Sequence, residues 1–258
     1  MSAYPVTFES YDINDIPGLI ITRLPSYKVG NRDLSVHRKA QAHGSVNTGA
    51  FYQDKLIDIA CEIGRDTRAL LETSLDLLHL KLQTKNGSLI VPQAGANREY
   101  TATLESTSVA NVQGGHAEVT LTFRCSDPFG KDTTNTTLHN ASGITVAQQD
   151  FGLTVGGTAE LQLPVFTITF TSLSGGSNAT VTLENLATGE TIEIQRTWAN
   201  ADVLVVDIAE KTVQVNSTDV DFDGLITGFS PAQHTLRYVD TLTGRNISFN
   251  AVYKKRYI

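Results

Sequence analysis

Asp219-Val-Asp-Phe-Asp-Gly224 sets carboxylates at the first, third and fifth positions and glycine at the sixth, as in the opening of a calcium loop. Such a loop closes with a bidentate carboxylate at its twelfth position, which here is Ser230, and it sits between two helices that the Val- and Thr-rich surroundings do not favour. Alternation of the three aspartates with Val220 and Phe222 also suits a strand edge that turns at Gly224, and no calcium site is expected. The six histidines, His37, His43, His79, His116, His139 and His234, form no His-x-His or His-x-x-x-His pair, and two cysteines are too few for structural zinc. A nucleophile elbow, a phosphate loop and a dinucleotide fingerprint are all missing, and nothing marks a pair of acids for glycoside hydrolysis. The chain therefore reads as a protein without catalytic residues, metal or cofactor.

The next distinctive stretch is polar. Between Asn31 and Thr48, Arg32, His37, Arg38, Lys39 and His43 are interleaved with little apolar content, so the segment cannot be core. It reads either as an exposed hairpin or as an arm that reaches a neighbour, since a long polar hairpin on a compact domain is commonly an interaction element. Over the whole chain, 20 Lys/Arg face 27 Asp/Glu, a net charge of −7, most of which lies in the second half. Neither half carries the basic stripe that phosphate neutralisation requires, and the run Lys254-Lys-Arg256 reads as a solvated strand edge. Specific nucleic-acid binding is not expected. The start, Met1-Ser-Ala-Tyr-Pro5, does not read as a signal peptide and no window approaches a membrane span, so no membrane insertion is expected and Cys61 and Cys125 read as reduced and buried.

Two sets of elements must carry these residues. In Glu118 to Arg124 apolar Val119, Leu121 and Phe123 alternate with polar neighbours, a half-buried strand that Asp127-Pro128 stops, because proline lacks an N–H and restricts the residue before it. The chain is expected to leave the sheet there, with few strand-bound residues before Ile144. Upstream, short strands are expected at Val6–Phe8, Leu19–Thr22, Leu89–Val91 and Tyr100–Leu104. One helix is expected from about Arg65 to Gln83, capped by Asp66 and ended at Asn86-Gly87. Its leucines Leu71, Leu75, Leu78 and Leu82, widened by Leu70 and Leu77, fit a face packed on the domain's own sheet better than a zipper to a partner helix. Downstream, strand-like runs alternate with Gly- and Asn-bearing turns; Val203–Val206 reads as a central strand, and Leu186–Gly189 and Thr241–Gly244 read as two hairpin turns of the same kind.

The fold class is thus mainly β with two domains. Residues 1–131 form a β-sandwich with one α-helix and a long hairpin, and residues 132–258 an antiparallel sandwich of galectin-like or jelly-roll kind. Trp198, the only tryptophan, lies between strands in Arg196-Thr-Trp-Ala-Asn200. It could stack on a sugar there, but a large side chain sealing one end of the core is the preferred reading.

The strand ending in Cys125-Ser-Asp-Pro-Phe129, the alternating stretch Gly49–Ile63 between a charged hairpin and a single helix, and the runs Leu163–Phe170 and Asn246–Tyr253 together resemble siphophage distal tail proteins. The resemblance covers essentially the whole chain and rests on order and spacing. It implies a structural hub: a homohexameric ring that joins the tail tube to the baseplate or tail fibre and leaves a channel for DNA passage. Its implied partners are further copies of itself, a tail tube protein and a tail-associated lysin or fibre-hub protein. It also implies assembly in the host bacterial cytoplasm, a place at the virion tail tip, and a hairpin whose Arg32, His37, Arg38, Lys39 and His43 meet a neighbouring subunit. The alternative is a carbohydrate-binding accessory protein whose second domain attaches to the host cell surface.

Overall fold

The computed structural model describes residues 4–28, 32–38, 45–93 and 95–258, with the backbone alone for 28, 32–38 and 45–51. The chain divides into two compact units, Met1–Thr133 with Ile258, and Thr134–Tyr257.

In the first unit the strands are β1 (Thr7–Phe8), β2 (Tyr11–Asp12), β3 (Leu19–Ile21), β4 (Ser26–Lys28), β5 (Arg32–Arg38), β6 (Ser45–Tyr52), β7 (Lys55–Gly64), β8 (Gly87–Gln93), β9 (Ala96–Gln113), β10 (His116–Cys125) and β11 (Gly130–Asp132). They pair in the order β2-β1-β8-β9-β10-β7-β3, with β4 also on β7 and β11 on β9, while β5 and β6 form a two-stranded sheet. Alternation dictates the packing. Ile57, Ile59, Cys61 and Ile63 of β7 lie opposite Phe123, Leu121, Val119 and Ala117 of β10, and all eight are buried. Both cysteines are free and buried.

The helix α1 spans Arg68–Lys81, shorter than expected, and its cap is Thr67 rather than Asp66. The Leu70 N–H donates to the Thr67 hydroxyl at 3.3 Å, and Thr67 has the extended backbone of a cap. Leu71, Leu78 and Leu82 are buried and Leu75 and Leu77 pack partly on the same core, whereas Leu70 remains 39% exposed and does not widen the stripe. The expected strand across Gly49–Ile63 is two strands broken at Gln53-Asp54. After β10 the Phe129 N–H donates to the Asp127 carboxylate at 3.2 Å, turning the chain at Pro128. It then returns to the same sheet, where Lys131 lies opposite Glu99, so Asp127-Pro128 ends a strand without ending the sheet.

The second unit contains β12 (Thr136–Ile144), β13 (Gln148–Thr154), β14 (Val165–Ser172), β15 (Ala179–Asn185), β16 (Glu190–Arg196), β17 (Val203–Asp207), β18 (Thr212–Val215), β19 (Thr218–Asp219), β20 (Asp223–Gly224), β21 (Gln233–Asp240) and β22 (Asn246–Tyr253). Two antiparallel sheets result, β12-β22-β14-β17-β18-β19 and β13-β21-β15-β16-β20, and the chain passes repeatedly from one to the other. Residues 136–144 are therefore strand, contrary to expectation; bulges beside His139 and between Ala141 and Ile144 break the period-two pattern that would have revealed them. The strand β17 lies inside its sheet. Leu186–Gly189 is a hairpin turn joining β15 to β16. Thr241–Gly244 is not, because it carries the chain from β21 in one sheet to β22 in the other.

One aromatic and aliphatic core fills this unit. Phe151 stacks on Phe249 with ring centroids 4.0 Å apart, and Phe166 meets Phe229 edge-on at 5.8 Å.

Candidate assembly interface

The polar segment is a hairpin, as its composition requires. β5 and β6 run antiparallel, from Arg32 opposite Tyr52 to Arg38 opposite Ser45, with a bulge between Ser35 and Val36. Arg32, His37 and Arg38 thus lie on β5, whereas Lys39 and His43 lie outside the described residues. Among the described residues neither strand forms a ladder with another element.

Its root is held by residues that the sequence did not single out. The Tyr52 ring meets Phe129 edge-on at 5.2 Å, joining the hairpin to the Asp127-Pro128 corner. Beside it Arg124 binds Asp54 at 3.2 Å and Glu105 at 2.5 Å, all three substantially exposed. Beneath lies Lys55, buried at the start of β7, with its ammonium 5.1 Å from the centroid of the Tyr100 ring. Burial pulls the Lys55 pKa down, with Cys125 and Asp127 opposing that shift, and burial pushes the Cys125 thiol up to about 12. The Tyr27 phenol, which donates to Pro92 O at 3.3 Å, is likewise raised by burial to about 12. With pKa values near 12, the Cys125 thiol and the Tyr27 phenol keep their protons at neutral pH. Asp54 between two strand-like runs was a readable break; the Tyr52–Phe129 contact joins distant stretches and left no local signal.

The remaining candidates are scattered. Trp198 is 4% exposed, donates from Nε1 to Ala179 O at 2.9 Å and packs on Phe170 at 4.7 Å. With the Arg196 guanidinium 5.4 Å from its ring centroid as well, the ring is covered and not open to stack on a sugar, in keeping with the preferred reading of a side chain that seals the core. Asp219 ends β19 and accepts from Gln214 at 2.8 Å, whereas Asp223 lies on β20 in the other sheet. Among the described residues no three His, Cys, Asp or Glu side chains gather as metal ligands. His139 packs on Phe151 and Phe249, His234 binds Ser230 O at 2.9 Å, and His116 faces Glu62 at 3.7 Å. Each has a local structural partner.

The profile of the siphovirus-type tail component, C-terminal domain, matches residues 156–257. Among solved structures, the SPP1 Dit protein, titled a paradigm of the hub adsorption apparatus in phages infecting Gram-positive bacteria, superposes with a TM-score of 0.73 at 14% identity. Both chains are covered over 100% of their length. A chain of the phage P2 baseplate in its activated conformation with calcium matches with a TM-score of 0.51 at 9% identity, again over 100% of both chains. A search of curated proteins gives no match. Residues 156–257 therefore match the siphovirus-type tail-component C-terminal domain, and the whole chain shares the mainly β fold of a siphophage distal tail protein.

Proposed function

We propose that the protein is the hub subunit of a siphophage tail tip. It forms a homohexameric ring, open along its axis for DNA passage, that joins the tail tube to the baseplate or tail fibre. Residues 1–131 and 132–258 are its two domains, and it acts as scaffold rather than enzyme. The observation that carries this reading is the end-to-end likeness of fold to the SPP1 hub protein, joined to the tail-component match over residues 156–257. The hairpin supports it independently. A lone two-stranded hairpin is marginal in water, and one that forms no ladder with another element among the described residues is suited to pair with a neighbour. Arg32, His37, Arg38, Lys39 and His43 are the proposed contact residues, on a chain whose weak net charge of −7 limits repulsion between copies. Further partners are a tail tube protein on one side and a fibre-hub or lysin protein on the other, met in the host bacterial cytoplasm before the ring takes its place at the tail tip.

Native mass spectrometry with negative-stain microscopy of the purified protein tests the reading, with sixfold rings expected. Replacing residues 32–48 by a short turn should leave a folded chain that no longer forms rings. A protein that stays monomeric at tens of micromolar overturns the hub; a shortened chain that still forms hexamers removes the hairpin from the interface.

A further inference from the structure

The strands beside β9 divide it into two parts. β10 follows it from Ala102 to Gln113 on one side, but on the other β8 covers only Ala96 to Ala102. Beyond Thr103, whose hydroxyl takes the Asn86 N–H at 2.8 Å, that second side meets no strand among the described residues. Residues 104–113 read Leu-Glu-Ser-Thr-Ser-Val-Ala-Asn-Val-Gln. Soluble proteins normally blunt such an edge with lysine, proline or a covering element. This run has neither lysine nor proline, and its single carboxylate, Glu105, is engaged by Arg124. Register shifts occur near both ends, yet from Ser106 to Ala110 the ladder with β10 is regular, so the edge there is straight. Its face is apolar in part: Val109, opposite the buried Val119, is 41% exposed, and Val112 is 39% exposed.

We infer that this edge of β9, centred on Ser106–Ala110, receives the β5–β6 hairpin of a second copy, which adds a strand to the sheet. The inference rests on the hub reading and specifies its acceptor. Three observations bear on that occupant. The hairpin has strands of matching length, seven residues in β5 and eight in β6, that form no ladder with another element among the described residues. Charge does not oppose it: residues 31–48 hold three cations against one anion, a net of +2, whereas residues 104–113 hold no Lys or Arg. Finally, the hairpin leaves the sheet beside β4 and β7, while the free edge faces the β8 side, with β10 and β9 itself in between. Donor and acceptor on opposite sides of one sheet allow a head-to-tail contact, the kind that closes into rings.

The test uses the full-length protein. Ser108→Lys with Ala110→Lys places charge at two exposed positions and should leave circular dichroism and thermal midpoint unchanged while raising the concentration for half-assembly at least tenfold by sedimentation. In parallel, Ser108→Cys or Val109→Cys combined with Ser35→Cys or Val36→Cys should give disulfides between copies. Rings that persist in the lysine variant, with no cross-link between copies, overturn the edge assignment and leave the hub reading standing. An unaltered chain that is monomeric overturns both. If the lysine variant unfolds, the cross-link decides alone, for its absence in intact rings refutes the assignment.

Discussion

The two units finish their sheets differently. In the second, an outer strand is blunted: β13 carries Asp150, whose carboxylate takes two hydrogen bonds from Arg237 at 2.8 and 3.0 Å, and β12 is bent by two bulges. The carboxylate of Asp202 is tied internally, accepting from Ala199 N at 2.9 Å and from Asn216 Nδ2 at 2.8 Å. The first unit has a buried apolar core as well, yet one side of the far half of β9 meets no strand among the described residues and its hairpin joins no other sheet there. Both are built from the same Val-, Ile- and Thr-rich strands. Where pairing stops, more than what the core contains, distinguishes a unit that closes on itself from one that can propagate into an assembly.

The largest effect is expected when one core is damaged and the other is followed. Phe249 stacks on Phe151 and lies 6.0 Å from Phe166, so Phe249→Ala should cost about 3–5 kcal/mol through lost burial and the cavity left behind. Trp198 fluorescence reports the second unit and the ellipticity of α1 the first. Denaturant unfolding should shift the Trp198 transition and leave the helix transition in place. A common shift of both signals would mean that the units unfold as one.

Charge burial gives the next effect. Asp240 ends β21, just before the connection Thr241–Gly244 that the sequence made look like a hairpin turn. It accepts from Leu242 N at 2.8 Å and Tyr238 Oη at 2.5 Å and faces Arg245 Nε at 2.7 Å, with its own side chain fully buried. Asp240→Ala strands a mostly buried guanidinium, and a loss of about 3 kcal/mol is expected in the Trp198 transition alone. Asp240→Asn should cost less, since it keeps acceptors for the Leu242 N–H.

This connection also explains what the sequence concealed. Thr241–Gly244 and Leu186–Gly189 have the same local turn signal, but whether the next strand joins the same sheet is decided by residues far away in the chain. Alternation made β10, β14 and β22 legible because each buries one face on a core. It failed for β12, whose bulges reset the period, and for the far half of β9, which is exposed on both faces and has no period to detect. The hairpin was legible as polar and non-core; its root was not, since Tyr52 and Phe129 are far apart in sequence. The interior position of Trp198 was legible from its size alone.

The thiols sharpen the contrast from the other side. Burial holds both Cys61 and Cys125 near pKa 12, so neither carries appreciable thiolate at pH 8. A raised folded-state pKa means that the native state keeps its proton longer, so this contribution is complete below about pH 9, the ordinary thiol value, and is lost as pH rises towards 12. Lys55, with its pKa lowered, acts oppositely and adds stability as pH rises to its ordinary 10.5, after which only the loss remains. Alkylation at pH 8 should therefore be negligible in the native protein and should appear with the helix transition. Rapid labelling without unfolding would mean that the first unit opens locally around its sheet.

The smallest effect concerns the start of α1, where two adjacent residues compete for one role. Asp66 has the favoured residue type and would complement the helix dipole, which is why composition points to it. Thr67 nevertheless holds the cap, because only the residue with extended backbone immediately before the first helical residue can bring its side-chain oxygen to the N–H three positions on. The placement is fixed from outside the helix: the Arg65 N–H donates to Gly115 O at 2.8 Å, and a Cβ on Gly115 would come within 1.9 Å of Arg65 O. The β9–β10 turn thus sets where the chain can begin to coil. Thr67→Ala should lower the stability of the first unit by about 1 kcal/mol, and Asp66→Ala by less than half as much. Helix ellipticity against denaturant for the two variants decides between them. An equal loss would mean that charge near the helix end, and not the hydroxyl, satisfies the first turn.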